Sequence, residues 1–427
     1  PQGGTMRPMP TAAAALGLAL ALSACGANPE GGAAPGAGSG EITFWDTSDA
    51  TTEAHVFRGL IEDFEAAHPD ITVHYENVPF DDAQEKFKTA AQAGTGAPDV
   101  MRADVGWVAE LAALGYLAPL DDTPALQEPE DFLPTPLSST RHAGATYAVP
   151  QVTDSLALLY NKDLLAQAGH EEPPATMEEL KQVALDVNDT TDATGLYLNA
   201  ADGFFLLPHY YAHGGNLLDV EKQEITVNDA AGVAALEEVL DLIDSGAAAD
   251  PALTDTYATM QTAFKDGDVA MIFNGPWSLG EIRSGDAFSD EADNLGVAPL
   301  PAGPEGRGGP TGGHDYAVYA GSGELDASYA FIRFMASADS QATITKELGL
   351  LPTRASVYER EEVASHPTVR DFEPVIDTAH PGMWIPEGGT LFQPFTQQLP
   401  AAVSGQATAQ EALDAVAADY RAALGWD

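Results

Sequence analysis

Carboxylate and aromatic side chains follow the ends of several predicted strands in this chain. Asp49, Asp104 and Trp107 follow strands early in the sequence, and Trp277 follows a later strand through a Gly-Pro turn. Carboxylates accept strong, directional hydrogen bonds from hydroxyl groups. Aromatic rings pack against apolar C–H surfaces and exclude water from them. A cleft lined by both kinds of side chain suits a polyhydroxylated ligand such as a sugar.

Each of these side chains also has a structural interpretation. Asp49 and Asp104 precede predicted helices, where an aspartate commonly caps the first turn. Trp107 and Trp277 could be core aromatics that never reach a ligand. Asp46, which directly follows the first strand, is a second candidate for the role given to Asp49. The sequence alone leaves these alternatives open.

Two further patterns suggest metal binding, but their spacing does not support it. His209 and His213 are four residues apart, yet they have no HExxH motif and no apparent third ligand. The acidic stretch DVNDTTD at 186–192 lacks the spacing and the glycine of an EF-hand loop. We therefore predict no metal site and no cofactor.

The composition excludes several classes of partner. The 427 residues include 65 acidic and only 18 basic side chains, which gives a formal net charge of −47. Nucleic acids and anionic lipid surfaces are recognised through Lys and Arg, so neither is an expected partner. Because 44% of the residues are hydrophobic, the chain can still form a sizeable core. The one cysteine excludes an intrachain disulfide and any multi-cysteine metal site.

The N-terminal region has the pattern of a secretory signal. Arg7 precedes an uncharged Ala- and Leu-rich run at 12–22, and LSAC follows at 22–25. The run is too short to span a membrane. LSAC resembles the lipobox of bacterial lipoproteins, which predicts a signal peptide over 1–24 and lipidation of Cys25; the alternative is a chance cysteine in a secretory signal. The Gly-, Ala- and Pro-rich residues 25–40 then form a flexible tether.

Strands and helices alternate through the rest of the chain, which predicts an α/β fold with largely parallel sheets and helices on both faces. The Gly- and Pro-rich residues 299–313 are expected to form a loop or hinge. The predicted strands are 41–45, 71–75, 99–102, 157–160, 269–274 and 315–320, and the longer predicted helices are 55–68, 82–93, 107–114, 176–187, 230–245, 257–266, 326–337 and 408–424.

Five local strings stand out in order along the chain: DVMRADVGW (99–107), YAVPQVTDSLALLYNK (147–162), FKDGDVAMIFNGPW (264–277), GVAPLPAGP (296–304) and LGLLPTR (348–354). Taken together, they resemble the family 1 extracellular solute-binding proteins of ABC sugar importers, and most closely the actinobacterial maltose/maltodextrin- or trehalose/maltose-binding lipoproteins. The resemblance covers essentially all of residues 41–424.

The resemblance implies a two-lobed, type II-like periplasmic-binding-protein fold. The chain would cross between the lobes three times, and a ligand cleft would lie between them and close by a hinge motion. Lobe one would comprise 41–152 and 302–337, and lobe two 153–301 and 338–427. A membrane permease would recognise the closed form of the monomer.

The resemblance also implies roles for individual residues. Asp154 at the first crossing would bind sugar hydroxyls, and Trp277 would stack on a glucose ring. Gly313 would offer backbone contacts, while Arg354 would either bind ligand or serve as a structural ion-pair partner. The remaining implied ligand contacts are Asp49, Asp104, Trp107, Asp202, Phe204, Tyr210 and Trp384.

These features together predict a sugar receptor rather than an enzyme. The expected ligand is an α-linked gluco-oligosaccharide, with maltose or maltodextrin ahead of trehalose. The expected location is the outer face of the cell membrane, through a lipid anchor on Cys25. The competing hypothesis is an extracellular glycosidase, which would also place paired carboxylates in a sugar cleft.

Overall fold

The computed structural model describes residues 38–426, apart from residues 201, 253 and 291. The predicted signal peptide, Cys25 and most of the predicted tether lie outside these residues. Within the described part of the chain, no helix combines the length and the apolar character needed to cross a membrane.

The described residues form short strands separated by helices. In chain order, the strands are β1 (Gly40–Asp46), β2 (Ile71–Asn77), β3 (Val100–Asp104), β4 (Arg141–His142), β5 (Ala145–Thr146), β6 (Ala148–Ser155), β7 (Ala157–Asn161), β8 (Thr194–Tyr197), β9 (Leu218–Asp219), β10 (Glu224–Ile225), β11 (Val269–Asn274), β12 (Leu295–Ala298), β13 (Thr311–Val318) and β14 (Leu351–Pro352).

The α-helices are α1 (Ala54–Ala67), α2 (Phe80–Ala93), α3 (Val108–Ala113), α4 (Pro134–Ser139), α5 (Lys162–Gln167), α6 (Met177–Thr190), α7 (Gly203–Ala212), α8 (Ala230–Asp244), α9 (Thr256–Lys265), α10 (Leu279–Ile282), α11 (Leu325–Met335), α12 (Ala338–Leu348), α13 (Ala355–Tyr358), α14 (Glu361–Ala364), α15 (Pro367–Ile376), α16 (Gln393–Val403) and α17 (Ala409–Leu424). Short 3₁₀ helices lie at Pro129–Asp131, Pro276–Ser278, Ala292–Asn294 and Gly388–Thr390.

Two sheets organise the fold. The first has six strands in the order β14-β6-β13-β3-β1-β2, and the second has four in the order β12-β7-β11-β8. In the first sheet, β1 runs parallel to β2 and β3, whereas β13 pairs antiparallel with both β3 and β6. In the second, β11 is parallel to β8 but antiparallel to β7. The prediction of largely parallel sheets was therefore wrong, because strands that return from one sheet to the other reverse direction.

Both faces of the first sheet are covered, as expected of an α/β layer structure. Ile42 and Phe44 of β1 pack into one apolar cluster with Phe57 of α1. Trp45, on the opposite face of the same strand, packs into a second cluster with Phe87 of α2. A separate and larger core surrounds the second sheet. This period-two alternation fixes the direction of the side chains at the strand ends.

The chain passes directly between the sheets at two places. β6 ends at Ser155 in the first sheet, and β7 begins at Ala157 in the second. The segment between β12 and β13 returns the chain to the first sheet. Later, α12 packs against α1, and β14 pairs with β6 in the first sheet. Residues 338–352, which the sequence assigned to lobe two, therefore pack with the first sheet.

Candidate functional site

Three elements meet around Asp154, near the end of β6. A Cβ atom on Gly312 of β13 would collide with Oδ1 of Asp154 and would lie 3.7 Å from Cζ of Phe204. Phe204 is carried by α7, which packs with the core of the second sheet. A carboxylate and a backbone segment from the first sheet thus share one space with an aromatic ring from the second. Glycine at 312 leaves that space open.

The carboxyl group of Asp154 is buried but has no protein hydrogen-bond donor among the described residues. Only 9% of the residue is exposed. Burial raises the pKa of this carboxyl to about 8, the negative charges of Asp104 and Glu53 add to the effect, and the positive charge of Arg102 opposes it. At neutral pH the group can therefore both donate and accept hydrogen bonds, which suits a ligand hydroxyl.

Arg102 is the cation whose charge acts on Asp154, Asp104 and Glu53, a role that the sequence analysis did not predict. It is 3% exposed on β3 and packs over the ring of Phe57. Its Nε donates to Gln151 at 2.8 Å and its Nη1 donates to Thr47 at 3.3 Å. Within the described residues no carboxylate lies within 4 Å of its guanidinium, so it acts through the field rather than through an ion pair.

Asp104 is the last residue of β3 and lies four residues before the start of α3. Its Oδ1 accepts a 2.7 Å hydrogen bond from the backbone N–H of Gly106, which forms a local turn. Burial raises its pKa to about 6, while this hydrogen bond and Arg102 oppose the shift. This hydrogen bond lies before α3, whose N-cap is Trp107, so the interpretation of Asp104 as a helix cap was wrong. The other oxygen of Asp104 has no protein donor among the described residues.

Glu53 is a candidate site residue that the sequence analysis did not identify. It lies at the start of α1, where an acid is ordinarily a solvated first-turn residue. Here burial raises its pKa, Arg102 and the backbone N–H of Asp49 oppose the shift, and its charge reaches Asp154 and Tyr257. Only a three-dimensional fold could show that this helix start turns inward.

Trp277 lies at the junction of the two halves of the fold. Its six-membered ring lies against Gly275, where any side chain would overlap it. Its Nε1 donates a 3.0 Å hydrogen bond to the hydroxyl of Tyr257. The residue is half-buried and packs against both the first-sheet and the second-sheet cores. The strand–Gly–Pro–Trp order thus does project an indole from the end of β11.

Asp202 and Phe204 begin α7. Oδ1 of Asp202 accepts the N–H of Phe204 at 2.9 Å, so this aspartate is an N-cap. Burial raises its pKa, the hydrogen bond from Phe204 opposes the shift, and the charge of Asp81 on α2 adds to it. Phe204 remains half-buried and meets Phe392 edge-on, with ring centroids 6.0 Å apart.

Trp107 is more enclosed than the sequence suggested. It is 6% exposed and belongs to the apolar cluster of α2 and α3. Phe80 covers one side of its ring at a centroid distance of 4.9 Å, and Gly389 approaches its Cδ1 edge. Phe80 itself is 43% exposed. Phe80 is therefore the aromatic side chain exposed at this surface, and Trp107 is buried beneath it.

Tyr210 is a core residue and not a ligand contact. It is 1% exposed, and its hydroxyl donates a 2.9 Å hydrogen bond to the carbonyl oxygen of Val227. Its ring also meets Phe395 edge-on. The prediction that it contacts sugar was wrong because α7 turns this side chain into the core of the second sheet.

Changing Tyr210 to Phe provides a test of that correction. The variant leaves the buried Val227 carbonyl without its partner, so we expect the free energy of unfolding to fall by about 1 kcal/mol. Sugar affinity should remain within about twofold of the parent, a difference under ~0.5 kcal/mol. Thermal melting and calorimetric titration of the same sample measure both quantities. A large loss of affinity with unchanged stability would return Tyr210 to the site.

Arg354 serves the fold, as the ion-pair alternative anticipated. It is 4% exposed and its guanidinium stacks 4.0 Å over Phe132. Nε donates to the Ala336 carbonyl at 2.8 Å, and Nη1 donates to Asp131 at 3.2 Å. These contacts hold the residues after β14 against the segment before α4. They occupy the guanidinium group that the resemblance assigned to ligand binding.

Three other predicted contacts have local structural roles. Oδ1 of Asp49 accepts hydrogen bonds from the backbone N–H groups of Thr51 and Thr52, so it shapes the turn before α1. Gly313 has a φ of 132°, and a side chain there would strike the backbone of β6. Trp384 is half-buried, and its indole N–H donates to Ser138 at 2.9 Å. Ligand contact by these residues stays a prediction.

His209 of α7 and His213, the residue that follows α7, share one carboxylate. Nδ1 of His209 lies 2.7 Å from Glu238, and Nε2 of His213 lies 3.1 Å from its other oxygen. The chain as described contains no group of three or more metal-ligating side chains arranged to hold an ion.

Comparison with known proteins shows the family to which this chain belongs. The family model for bacterial extracellular solute-binding proteins matches residues 59–371. The chain belongs to that family. Its members lie outside the cytoplasm and bind solutes, so the prediction of a receptor rather than an enzyme is confirmed.

Solved structures confirm the two-lobed fold of this solute-binding protein. The GacH receptor of Streptomyces glaucescens, solved unliganded and with acarbose and an acarbose homologue, is 49% identical, with a TM-score of 0.87 over 91% of this chain and 99% of that one. Maltose-bound MalE3 of T. maritima is 26% identical, with a TM-score of 0.81 over 90% and 99%. The maltotriose-binding protein of Pyrococcus abyssi is 27% identical over 80% of this chain and 73% of its own length.

Proposed function

We propose that this protein is the receptor of an ABC importer that binds an α-linked gluco-oligosaccharide of the maltodextrin class and delivers it to a membrane permease. The observation that carries the proposal is the convergence of Asp154, the Gly312 backbone and Phe204 from opposite halves of the fold. Trp277, which packs against both cores, supplies an aromatic surface beside the junction. Relatives named for maltose and maltotriose support the same ligand class.

The chemistry at this junction fits such a ligand. Carboxyl groups of Glu53, Asp104 and Asp154 can form hydrogen bonds with sugar hydroxyls, which contribute about 0.5–1.5 kcal/mol each for a neutral carboxyl and about 1.5–3 kcal/mol each for an ionised one. The rings of Phe204 and Trp277 offer apolar surfaces to the C–H faces of glucose units. Trehalose, which also contains α-linked glucose, is the alternative ligand.

The division into lobes is also a proposal. We assign the first sheet, with 311–352, to one lobe, and the second sheet, with the C-terminal helices α15–α17, to the other. Ligand between Asp154 and Phe204 would contact both lobes, so its binding would favour the closed arrangement. The permease would then recognise the liganded monomer.

A thermal-shift panel tests the ligand class. Ligand that binds only the folded protein raises the melting temperature, and the increase is larger the further the ligand concentration exceeds its Kd. We expect maltose and maltotriose to raise it, trehalose to raise it less, and cellobiose and glucose to leave it nearly unchanged. A shift with cellobiose alone would overturn the α-linked assignment.

We further propose that Cys25 carries the lipid that holds the mature protein at the outer face of the membrane. Two acyl chains anchor firmly, because each buried CH₂ contributes about 0.8 kcal/mol. Replacing Cys25 with Ser should move the protein from the membrane fraction to the medium, measured by immunoblot of both fractions. Retention of the Ser variant in the membrane would contradict the anchor.

A further inference from the structure

Residues 380–391, between α15 and α16, form a strap whose two ends are fixed to the half of the fold built on the second sheet. At its start, the ring of His380 stacks on Tyr211, beside the second-sheet core, with ring centroids 3.9 Å apart. At its end, Leu391 is buried in that core, and its carbonyl oxygen accepts a 2.6 Å hydrogen bond from the hydroxyl of Tyr420. The strap therefore belongs to the second-sheet half.

Trp384 makes the first of two contacts between the strap and the half built on the first sheet. Its indole N–H donates a 2.9 Å hydrogen bond to Oγ of Ser138 on α4, a helix that packs against β6. The Ser138 hydroxyl donates its own proton to the carbonyl oxygen of Thr135 at 2.6 Å, so its oxygen is oriented as the acceptor for the indole. Because Ser138 is exposed, this hydrogen bond joins the halves at the surface rather than through a core.

Gly389 makes the second contact. A Cβ atom at this position would lie 3.3 Å from the carbonyl oxygen of Gly106, 3.3 Å from Nε2 of Gln84 and 3.5 Å from Cδ1 of Trp107. Gln84 is on α2, and the other two residues follow β3, so all three belong to the first-sheet half. The φ of Gly389 is not left-handed, so glycine serves the close approach here and not an unusual backbone conformation.

Both contacts depend on how the two halves are arranged. Each joins a residue of the strap to an element of the opposite half, so a hinge motion that separates the halves would break both. Interactions that exist in only one of two conformations shift the equilibrium towards it by the free energy that they contribute. The strap therefore favours the arrangement in which the halves are close together.

We propose that the strap stabilises the closed arrangement, and that Trp384, Ser138 and Gly389 are positioning residues that raise the affinity for every ligand by the same factor. This inference rests on the proposed function, because the strap acts on the closure that accompanies ligand binding. It gives the indole N–H of Trp384 to α4 and not to the ligand, since this side chain has a single donor.

The hydrogen bond is tested by calorimetric titration of variants with maltose and, separately, with maltotriose. Ser138→Ala and Trp384→Phe each remove it, and each should weaken both sugars by the same factor, about two- to fivefold or about 0.4–1 kcal/mol. The double variant should lose no more than either single variant, because the bond is already absent. Ser138→Thr keeps an acceptor oxygen and should bind like the parent.

The close approach is tested by Gly389→Val, which places a side chain between the halves. We expect it to weaken both sugars at least about tenfold, or about 1.4 kcal/mol, and to reduce the compaction that maltotriose causes in small-angle X-ray scattering. Gly323→Val and Ser284→Ala are matched controls. Gly323 is exposed, with open space around it and an ordinary φ, and Ser284 is an exposed serine that donates to the nearby Glu281 carbonyl. Both should keep parental affinity and compaction.

The outcomes separate the strap from the proposed function. Parental affinity in Ser138→Ala, Trp384→Phe and Gly389→Val, or a loss confined to one sugar, overturns the strap and leaves the proposed function standing. Binding of neither sugar by the parent overturns the proposed function, and the strap with it. If Gly389→Val does not fold, Ser138→Ala and Ser138→Thr decide, and equal affinities in these two variants contradict the strap.

Discussion

Replacing Trp277 with Ala is expected to weaken maltotriose binding by about ten- to a hundredfold, which corresponds to about 1.4–2.8 kcal/mol. The indole lies where both cores meet, and a stacked aromatic in a dry pocket contributes on this scale through burial and ring contact. Calorimetric titration measures the loss. The sugar-induced change in tryptophan fluorescence should shrink in the same variant.

Trp426→Ala is the matched control, because Trp426 is half-buried but packs with the second-sheet core beyond α17. It should keep parental affinity and most of the fluorescence change. Parental maltotriose affinity in Trp277→Ala, together with a lower melting temperature, would contradict the prediction. Such a variant would show that Trp277 only joins the two cores, with no contact to ligand.

Asp154→Ala should lose about ten- to a hundredfold in maltotriose affinity without losing stability. The ligand hydrogen bonds of this carboxyl are removed. Since the carboxyl is protonated at neutral pH, two such bonds of a neutral group contribute about 0.5–1.5 kcal/mol each. Folding, in contrast, no longer has to bury a carboxyl that lacks a donor. Titration and thermal melting of one preparation test both statements. Unchanged affinity would remove Asp154 from the site.

The difference in stability between this variant and the parent should depend on pH in a defined direction. Because the folded pKa of Asp154, about 8, lies above the ordinary carboxyl value of about 4, the folded state binds the proton more tightly than the unfolded state. The parent is therefore disfavoured progressively as pH rises from about 4 to 8, and Asp154→Ala is not. The stability of the variant relative to the parent should rise over that range and then level. A flat difference would contradict the buried carboxyl.

The sequence predicted those regular elements whose signals are local, but it did not predict β6, α7, α12, α15 or α16. The strand 269–274 was placed at its observed limits, and Thr176 caps α6 by accepting the N–H of Glu179. Antiparallel pairing of β13 was not predictable, because it depends on how the chain returns between the sheets. The packing of residues 338–352 on the first sheet was not predictable either, because a helical pattern does not indicate which sheet the helix packs against.

The candidate site shows a sharper limit. Asp154 and Trp277 could be found because a polar residue interrupts two apolar runs and a Gly-Pro turn projects an indole. Tyr210 and Arg354 can also stack on a sugar or bind its hydroxyl groups, but Tyr210 lies in the core and Arg354 forms a buried ion pair. Glu53 and Arg102 were missed because their burial arises from elements distant in sequence. Residue type and spacing indicate what a side chain can do, whereas its partners are set by tertiary packing.

The most direct test of the sugar-receptor assignment is a calorimetric titration of the mature protein with maltotriose and, separately, with cellotriose. The two ligands have the same composition and length and differ only in the glucose linkage. The cleft built around Asp154 and Trp277 predicts saturable one-to-one binding of maltotriose, at least about tenfold tighter than cellotriose, or about 1.4 kcal/mol. Absence of maltotriose binding, or equal affinity for the two sugars, would contradict the assignment of an α-linked gluco-oligosaccharide receptor.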